Sequence, residues 1–349
     1  MKLDIVAFTK NGMMLGERIF DLAQKEGWET KVFVKSRYVS VSEDGPVISV
    51  ETTMSEWAQQ HIPAAEALIF IGAAGIAVRT IAPYIKSKTV DPAVLVLDEK
   101  GNYVIPLLSG HIGGANELAL WISEKIMAVP VLTTATDVNH KFAVDVFARK
   151  NQLWISSMKL AKEVSARILQ DEELPMGCGD GCLDAGHENS QLMYQNCEDG
   201  KKATFWIRLG DGEYLHLVPS VITLGIGCRK GTSIDTIERV VSSILTENGI
   251  FPQGIEQIAS IDLKKEEPGI LQLAEKWGLP FVTYSSEQLK AVHGEFTASP
   301  FVQQVTGVDN VCERSAVLGS RMGELIVRKQ AQDGVTAACA VREWRVNFE

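Results

Sequence analysis

LDIVAFTKNGMMLGERIFDLAQKEGWETKVFVKS, residues 3–36, carries the information that decides the architecture. LDIVAFT is apolar and rich in strand formers. The Asn11-Gly12 pair breaks it, and MMLGERIFDLAQKEG then repeats its apolar residues at helical spacing until Gly27. TKVFVKS is a second strand. Strand, helix, strand within so few residues predicts a parallel pair with the helix laid over one face. The alternation continues outward. ALIFIG (67–72) reads as a buried strand followed by the helix AAGIAVRTIAPYI, AVLVLDEKGNYVIPLL (93–108) as two strands joined at EKGN, NELALWISEKI (116–126) as a helix and VPVLTTAT (129–136) as a strand.

From Val144 the pattern turns helical. Residues 171–202 are polar, glycine-rich and poorly periodic, which predicts a mobile or surface insertion. ATFWIRLG and EYLHLVPS then read as a hairpin across a Asp-Gly turn. A new strand–helix alternation opens with VITLGIGCRKG and SIDTIERVVSSILTEN and runs on through IEQIASID, GILQLAEKWG and PFVTYS. The expected fold class is α/β: two α/β domains with mainly parallel sheets, residues 1–143 and 221–349, joined by a smaller middle region, 144–220.

The 349 residues carry a net charge of -10, with 46% hydrophobic and 22% charged residues, as in an ordinary globular protein. That acidity argues against a nucleic-acid binder or an anionic-membrane binder, both of which gather basic residues. The longest apolar run, residues 67–78, is too short to span a bilayer, and the first residues do not read as a signal peptide. The expectation is a cytoplasmic protein whose six cysteines are reduced. CGDGC (178–182), with His187 and Cys197 nearby, departs from the usual zinc spacings, so no metal site is expected.

Ligands of open parallel sheets bind beyond the carboxyl ends of strands. Four loops read as lying at such ends: Gly72 and Gly75 with Arg79; Ser109 to Asn116; Thr133, Thr134 and Asp137 with His140; and Gly227, Cys228, Arg229 and Lys230. The last stands in a G-x-G-x-x-x-G frame, which departs from the dinucleotide spacing, and the first plausible strand-end acid, Asp262, comes late. Its two cations suit a phosphate or carboxylate. In SGHIGGAN, Gly113 and Gly114 either permit tight packing and positive φ or bring backbone N–H groups close to an anion. His111 can activate water there, with Ser109 as a hydrogen-bonding or capping partner; a Ser–His nucleophilic pair would need the segment to be extended.

The segment GAAGIAVRTIAPYIKSKTVDPAVLVLDEKGNYVIPLLSGHIGGAN (72–116), followed by TTATDVN (133–139), resembles the amino-terminal region of the cobalt-precorrin-5A hydrolase (CbiG) family of anaerobic cobalamin biosynthesis. LGIGCRKGTS, SIDLKKEEPGI, TGVDNVCERSA and GVTAACA resemble its carboxyl-terminal domain. The resemblance covers most of the chain and is weakest over about 145–220. It implies a hydrolase that opens the ring A δ-lactone of its cobalt-corrinoid substrate and releases a two-carbon unit as acetaldehyde. It implies no cofactor beyond the cobalt carried by the substrate. Other enzymes of the pathway are candidate partners, and a non-catalytic corrinoid carrier is the alternative.

Residue chemistry then assigns expected roles. His111 activates water, assisted by Ser109, and Glu313 or Asp91 handles protons. The glycine loops, Asn116, Thr133, Thr134, Asp137, Cys228, Arg79, Arg229, Lys230 and Lys329 meet a flat macrocycle fringed with carboxylates.

Overall fold

The computed structural model describes residues 1–42, 45–87, 90–111, 113–183, 191–195, 201–210 and 212–348. It divides into two compact units, Met1–Val146 and Phe147–Glu349.

The first unit runs β1 (Lys2–Ala7), α1 (Lys10–Lys25), β2 (Glu29–Val34), β3 (Val47–Ser49), α2 (Met54–His61), β4 (Ala67–Ile71), α3 (Ala74–Ile81), β5 (Ala93–Leu97), β6 (Tyr103–Leu108), α4 (Ala115–Ile126), β7 (Val129–Pro130) and α5 (Ala135–Val138). Helix α6 (Val144–Lys150) carries the chain out of it. The strands form one sheet in the order β3-β2-β1-β4-β5-β6-β7. The strand–helix–strand opening gives β1 and β2 in parallel register, Leu3 opposite Thr30 and Val6 opposite Phe33. Strands β1, β4 and β5 are covered on both faces, which is why they read as unbroken apolar runs. Ile5, Ile69 and Leu95 pack beneath Ile19 of α1 and Ile122 of α4. Val6, Phe70 and Val96 point the other way, toward Trp57 of α2 and Ala77 of α3.

One pairing breaks the parallel rule, and it positions the site. Strands β5 and β6 form an antiparallel hairpin, with Leu97 opposite Val104 and Val94 opposite Leu108. The Asp98 carboxylate closes the turn by accepting the N–H groups of Lys100, Asn102 and Tyr103. Strand β7 follows β6 in parallel, so both end at the edge where β5 begins.

The second unit contains two sheets. Strands β8 (Leu153–Ile155), β9 (Leu174–Cys178), β10 (Leu192–Tyr194), β11 (Phe205–Arg208) and β12 (Tyr214–Pro219), with α7 (Met158–Ile168), form a sheet in the order β10-β9-β11-β12-β8. All its pairs except β9 with β10 are antiparallel. The rest of the chain runs β13 (Ile222–Cys228), α8 (Ile234–Glu247), β14 (Ile255–Ile261), α9 (Pro268–Trp277), β15 (Phe281–Tyr284), α10 (Ser286–Lys290), α11 (Pro300–Thr306), α12 (Cys312–Gly319), β16 (Glu324–Gln332) and β17 (Val335–Val341). Its sheet order is β15-β14-β13-β17-β16, parallel through β15, β14 and β13 and antiparallel from β13 onward. The α/β reading of the chain holds. Gly225, the first glycine of the G-x-G frame, serves packing: a Cβ there would lie 1.9 Å from the Cys312 carbonyl oxygen of α12.

The cysteine expectation is corrected at one pair. Cys178 and Cys182 form a disulfide, because the Gly-Asp-Gly turn between them brings their Cα atoms to 6.1 Å, within the range a cystine spans. Cys228, Cys312 and Cys339 are free thiols. His187 and Cys197 lie outside the described residues. Among the described residues no helix is long and apolar enough to cross a membrane, and no three His, Cys, Asp or Glu side chains converge as a metal-ligand set.

Candidate active site

The loop between β6 and α4 folds back on its own first residue. Ser109 has φ 56 and Gly114 has φ 81, both left-handed. The N–H of Ala115 donates to the Ser109 carbonyl at 3.2 Å, that of Asn116 to Gly110 at 3.0 Å and that of Gly114 to His111 at 3.0 Å. A Cβ at Gly113 would stand 2.4 Å from the Ser109 Cβ and 2.9 Å from its carbonyl oxygen. Gly113 and Gly114 therefore answer first to the fold of the loop. Gly113→Ala is expected to displace Ser109 and His111 together and to destabilise the protein by about 1–3 kcal/mol, the usual cost of overpacking; urea unfolding checks this. Among the described residues no acceptor reaches the backbone N–H of Gly110, His111 or Gly113.

Two expected catalytic groups are tied into this scaffold. Ser109 is buried and its hydroxyl donates to the Asp91 carbonyl at 2.9 Å. Asp91 is buried too, and both its carboxylate oxygens accept the Lys86 N–H at 3.0 Å. The pair joins the entry to β5 to the exit from β6. The structure thus gives Ser109 and Asp91 a scaffolding place in the loop.

His111 lies between two carboxylates. Nε2 is 2.9 Å from Asp137 Oδ2 of α5, and Nδ1 is 3.3 Å from Asp145 Oδ1 of α6. Thr136 Oγ1 is 3.1 Å from Nε2. Asn116 Nδ2 donates to Asp137 Oδ2 at 2.7 Å and to Thr134 Oγ1 at 2.9 Å, so one amide orders both α5 and the turn before it. The hydrogen bond to Asp145 holds the His111 imidazole above its ordinary pKa; burial opposes this, and the charge of Asp145 and the contact with Asp137 add to it.

This corrects the expected role of His111. Each ring nitrogen faces a carboxylate, a setting that suits a ring holding protons rather than one taking a proton from water. A raised pKa stabilises the folded state at low pH. The contribution is complete below the unfolded value of about 6.5 and is lost as pH rises through the folded value above it. The urea midpoint of the wild type is expected to fall across that window, and that of His111→Asn to lack this segment.

The remaining expected residues do not join this cluster. Gly72 follows β4 at the opposite edge of the sheet, its N–H on the Leu97 carbonyl at 2.8 Å. At about 3.3 Å per strand residue, Asp91 and Leu97 are roughly 20 Å apart. Arg79 is exposed on α3, with Nη1 3.4 Å from the Gly75 carbonyl oxygen. Thr133 is exposed.

In the second unit, Gly227 and Cys228 end β13, and Arg229 and Lys230 are exposed in the loop beyond it. That loop is clamped by Glu267, which accepts the Gly231 N–H at 2.6 Å and the Lys264 ammonium at 2.7 Å. Burial pushes the Glu267 carboxyl up, but these donors outweigh it and hold it below the ordinary range. Burial raises the Cys228 thiol, with Lys264 opposing, so Cys228 is no ready nucleophile.

Glu313 is wholly enclosed. It accepts from Thr297 N at 2.6 Å, Thr297 Oγ1 at 2.9 Å, Asn310 Nδ2 at 2.7 Å and Lys329 N at 2.7 Å. Lys329 thus contributes its backbone amide here. Glu313 is a cross-link between three segments and its position is not that of a proton donor at a cleft. Sequence reasoning missed Asp145, Thr136 and Glu267. Each is an ordinary polar residue in the chain, and only the fold places it against its partner.

The family described as Cobalamin synthesis G N-terminal matches residues 56–137, and Cobalamin synthesis G C-terminus matches 222–340. The cobalt-precorrin-5A hydrolase of Salmonella typhimurium (strain LT2) is 36% identical over 297 residues, covering 81% of this chain and 84% of that one. The protein of the same name from Priestia megaterium is 31% identical over 367 residues, covering 97% and 94%. Protein CobE of Sinorhizobium sp. is 31% identical over 121 residues, 34% of this chain and 79% of that one. The first matched segment contains His111, Asn116 and Asp137, and the second contains the Gly227–Lys230 loop and Glu313. Two family matches in order, with relatives aligned across most of both chains, leave one conclusion: the chain belongs to the cobalamin synthesis G family, the family of the cobalt-precorrin-5A hydrolases.

Proposed function

We propose that this protein is a cobalt-precorrin-5A hydrolase that opens the ring A δ-lactone and releases the attached two-carbon unit as acetaldehyde. Its likeness to the Salmonella and Priestia hydrolases supports the substrate. The observation that supports this location is the line Asp145–His111–Asp137 in the same loop as the amides of Gly110, His111 and Gly113, which meet no acceptor among the described residues. Water attacks the lactone carbonyl, and those amides take the developing oxyanion. Asp137, 30% exposed, is the outermost group of the line and accepts the proton of the attacking water. His111 gives its Nε2 proton to the departing ring oxygen and is reloaded from Asp137. The freed hydroxyl then loses its proton and becomes the aldehyde carbonyl as the carbon–carbon bond joining the two-carbon unit to the macrocycle breaks; that bond's electron pair stays on the macrocycle, which takes up a proton in exchange. Arg229 and Lys230, exposed in the loop after β13, are proposed as a carboxylate-binding element of the second unit by itself. Cobalt enters as part of the substrate, and no resident cofactor is proposed. The test is acetaldehyde release from cobalt-precorrin-5A by the purified full chain. Tight corrinoid binding without release would overturn the enzyme in favour of a carrier.

A further inference from the structure

A neutral imidazole has one N–H and one lone pair, and an ionised carboxylate only accepts. His111 meets a carboxylate at each nitrogen, so satisfying both needs two N–H groups. The two sides of the ring are unequal. Asp145 is 11% exposed, His111 13% and Asp137 30%, so the line runs from an enclosed acid to an accessible one. Asp145 is also anchored independently of the ring, since its Oδ1 accepts the Val146 N–H at 3.1 Å. Asp137 shares its Oδ2 with Asn116, within reach of solvent.

We infer that Asp145 is the positioning residue of this site: by taking the Nδ1–H of His111 it fixes the ring plane, keeps the ring doubly protonated and leaves Nε2–H directed at Asp137. Asp145 lies eight residues beyond Asp137, outside the segment matched by the N-terminal family. Asp137 from α5 and Asp145 from α6 are the charged groups that act on the ring among the described residues. Without Asp145 the ring keeps one anionic partner, and Nδ1 loses the acceptor that holds its proton. The ring can then turn over and present a lone pair to Asp137, which repels it. The kinetic part of this inference rests on the proposed lactone hydrolysis; the structural part does not.

The experiment uses full chain labelled with ¹⁵N-histidine, the His111 signals being assigned by their loss in His111→Gln. In the wild type, His111 is expected to remain imidazolium above the pH of about 6.5 at which a free histidine is half protonated. In Asp145→Asn its titration moves to lower pH, and Asp145→Glu restores it. With substrate, Asp145→Asn lowers kcat about ten- to a hundredfold with little change in KM, and the alkaline limb of kcat moves to lower pH with the titration. An unchanged His111 titration in folded Asp145→Asn overturns the inference. So does a kcat loss whose pH limb stays in place, since that marks structural damage only. A titration that shifts as expected in a protein whose wild type releases no acetaldehyde supports the positioning role and sinks the proposed reaction.

Discussion

His111→Gln is expected to reduce acetaldehyde release from cobalt-precorrin-5A by about a hundredfold or more while the chain still binds the corrinoid. Glutamine keeps a polar side chain of similar reach but cannot carry a proton, and a positioned acid–base group contributes on the order of 10²–10⁴ in rate. The substitution has a second consequence. It removes the ring between Asp137 and Asp145, two carboxylates that then face each other across its place. Some loss of stability is therefore expected, greatest at low pH, where the wild-type imidazolium contributes most. Rates must be compared per folded molecule, at a temperature where circular dichroism shows both proteins native. Release within about threefold of wild type from folded His111→Gln would remove the chemistry from this edge of the sheet. The Arg229–Lys230 loop would then be the next place to look.

Placing the chemistry at this edge depends on a topology that the residues only half disclosed. The parallel core was legible because buried parallel strands are unbroken apolar runs between helical repeats, as in residues 3–36 and 67–81. The hairpin was legible as two strands meeting at EKGN. Its consequence was harder to see. An antiparallel β6 sends Ser109–Asn116 to the start of β5, while Gly72 stays at the finish. A rule about carboxyl ends, applied without strand direction, therefore grouped the Gly72 loop with the Ser109–Asn116 and Thr133–His140 loops, which lie together at the other end of the sheet. Within the site, His111 and Asn116 stood out because they sit in a glycine-rich turn, and Asp137 because it follows the Thr133–Thr134 pair. Asp145 did not, because an acidic residue opening a helix is ordinary and its partner is 34 positions back. Nor could spacing alone show that Cys178 and Cys182 pair. Three residues between cysteines fit either a free loop or a closed one.

Glu313 is the residue whose reading changes most, and its substitution carries the largest expected cost in stability. In the chain, an acid beside Arg314 in a loop-to-helix stretch is a reasonable proton donor. In the fold it is fully buried and accepts four hydrogen bonds from Thr297, Asn310 and Lys329. These partners belong to the segment before α11, the turn before α12 and the strand β16, so a single carboxylate ties three otherwise separate pieces together. Glu313→Ala leaves those donors in a dry interior without an acceptor. At about 1–3 kcal/mol for each stranded group, partly recovered by relaxation, the expected loss is about 3–5 kcal/mol. Glu313→Gln is expected to cost less but still substantially, because its amide brings a donor to a place that already has four. A catalytic acid would behave in the opposite manner: the glutamine variant would keep its urea midpoint and lose its rate. Measuring both quantities on Glu313→Gln decides between the two roles. A lowered midpoint with a near-wild-type rate per folded molecule makes Glu313 a structural carboxylate, and a preserved midpoint with lost acetaldehyde release would return it to the mechanism.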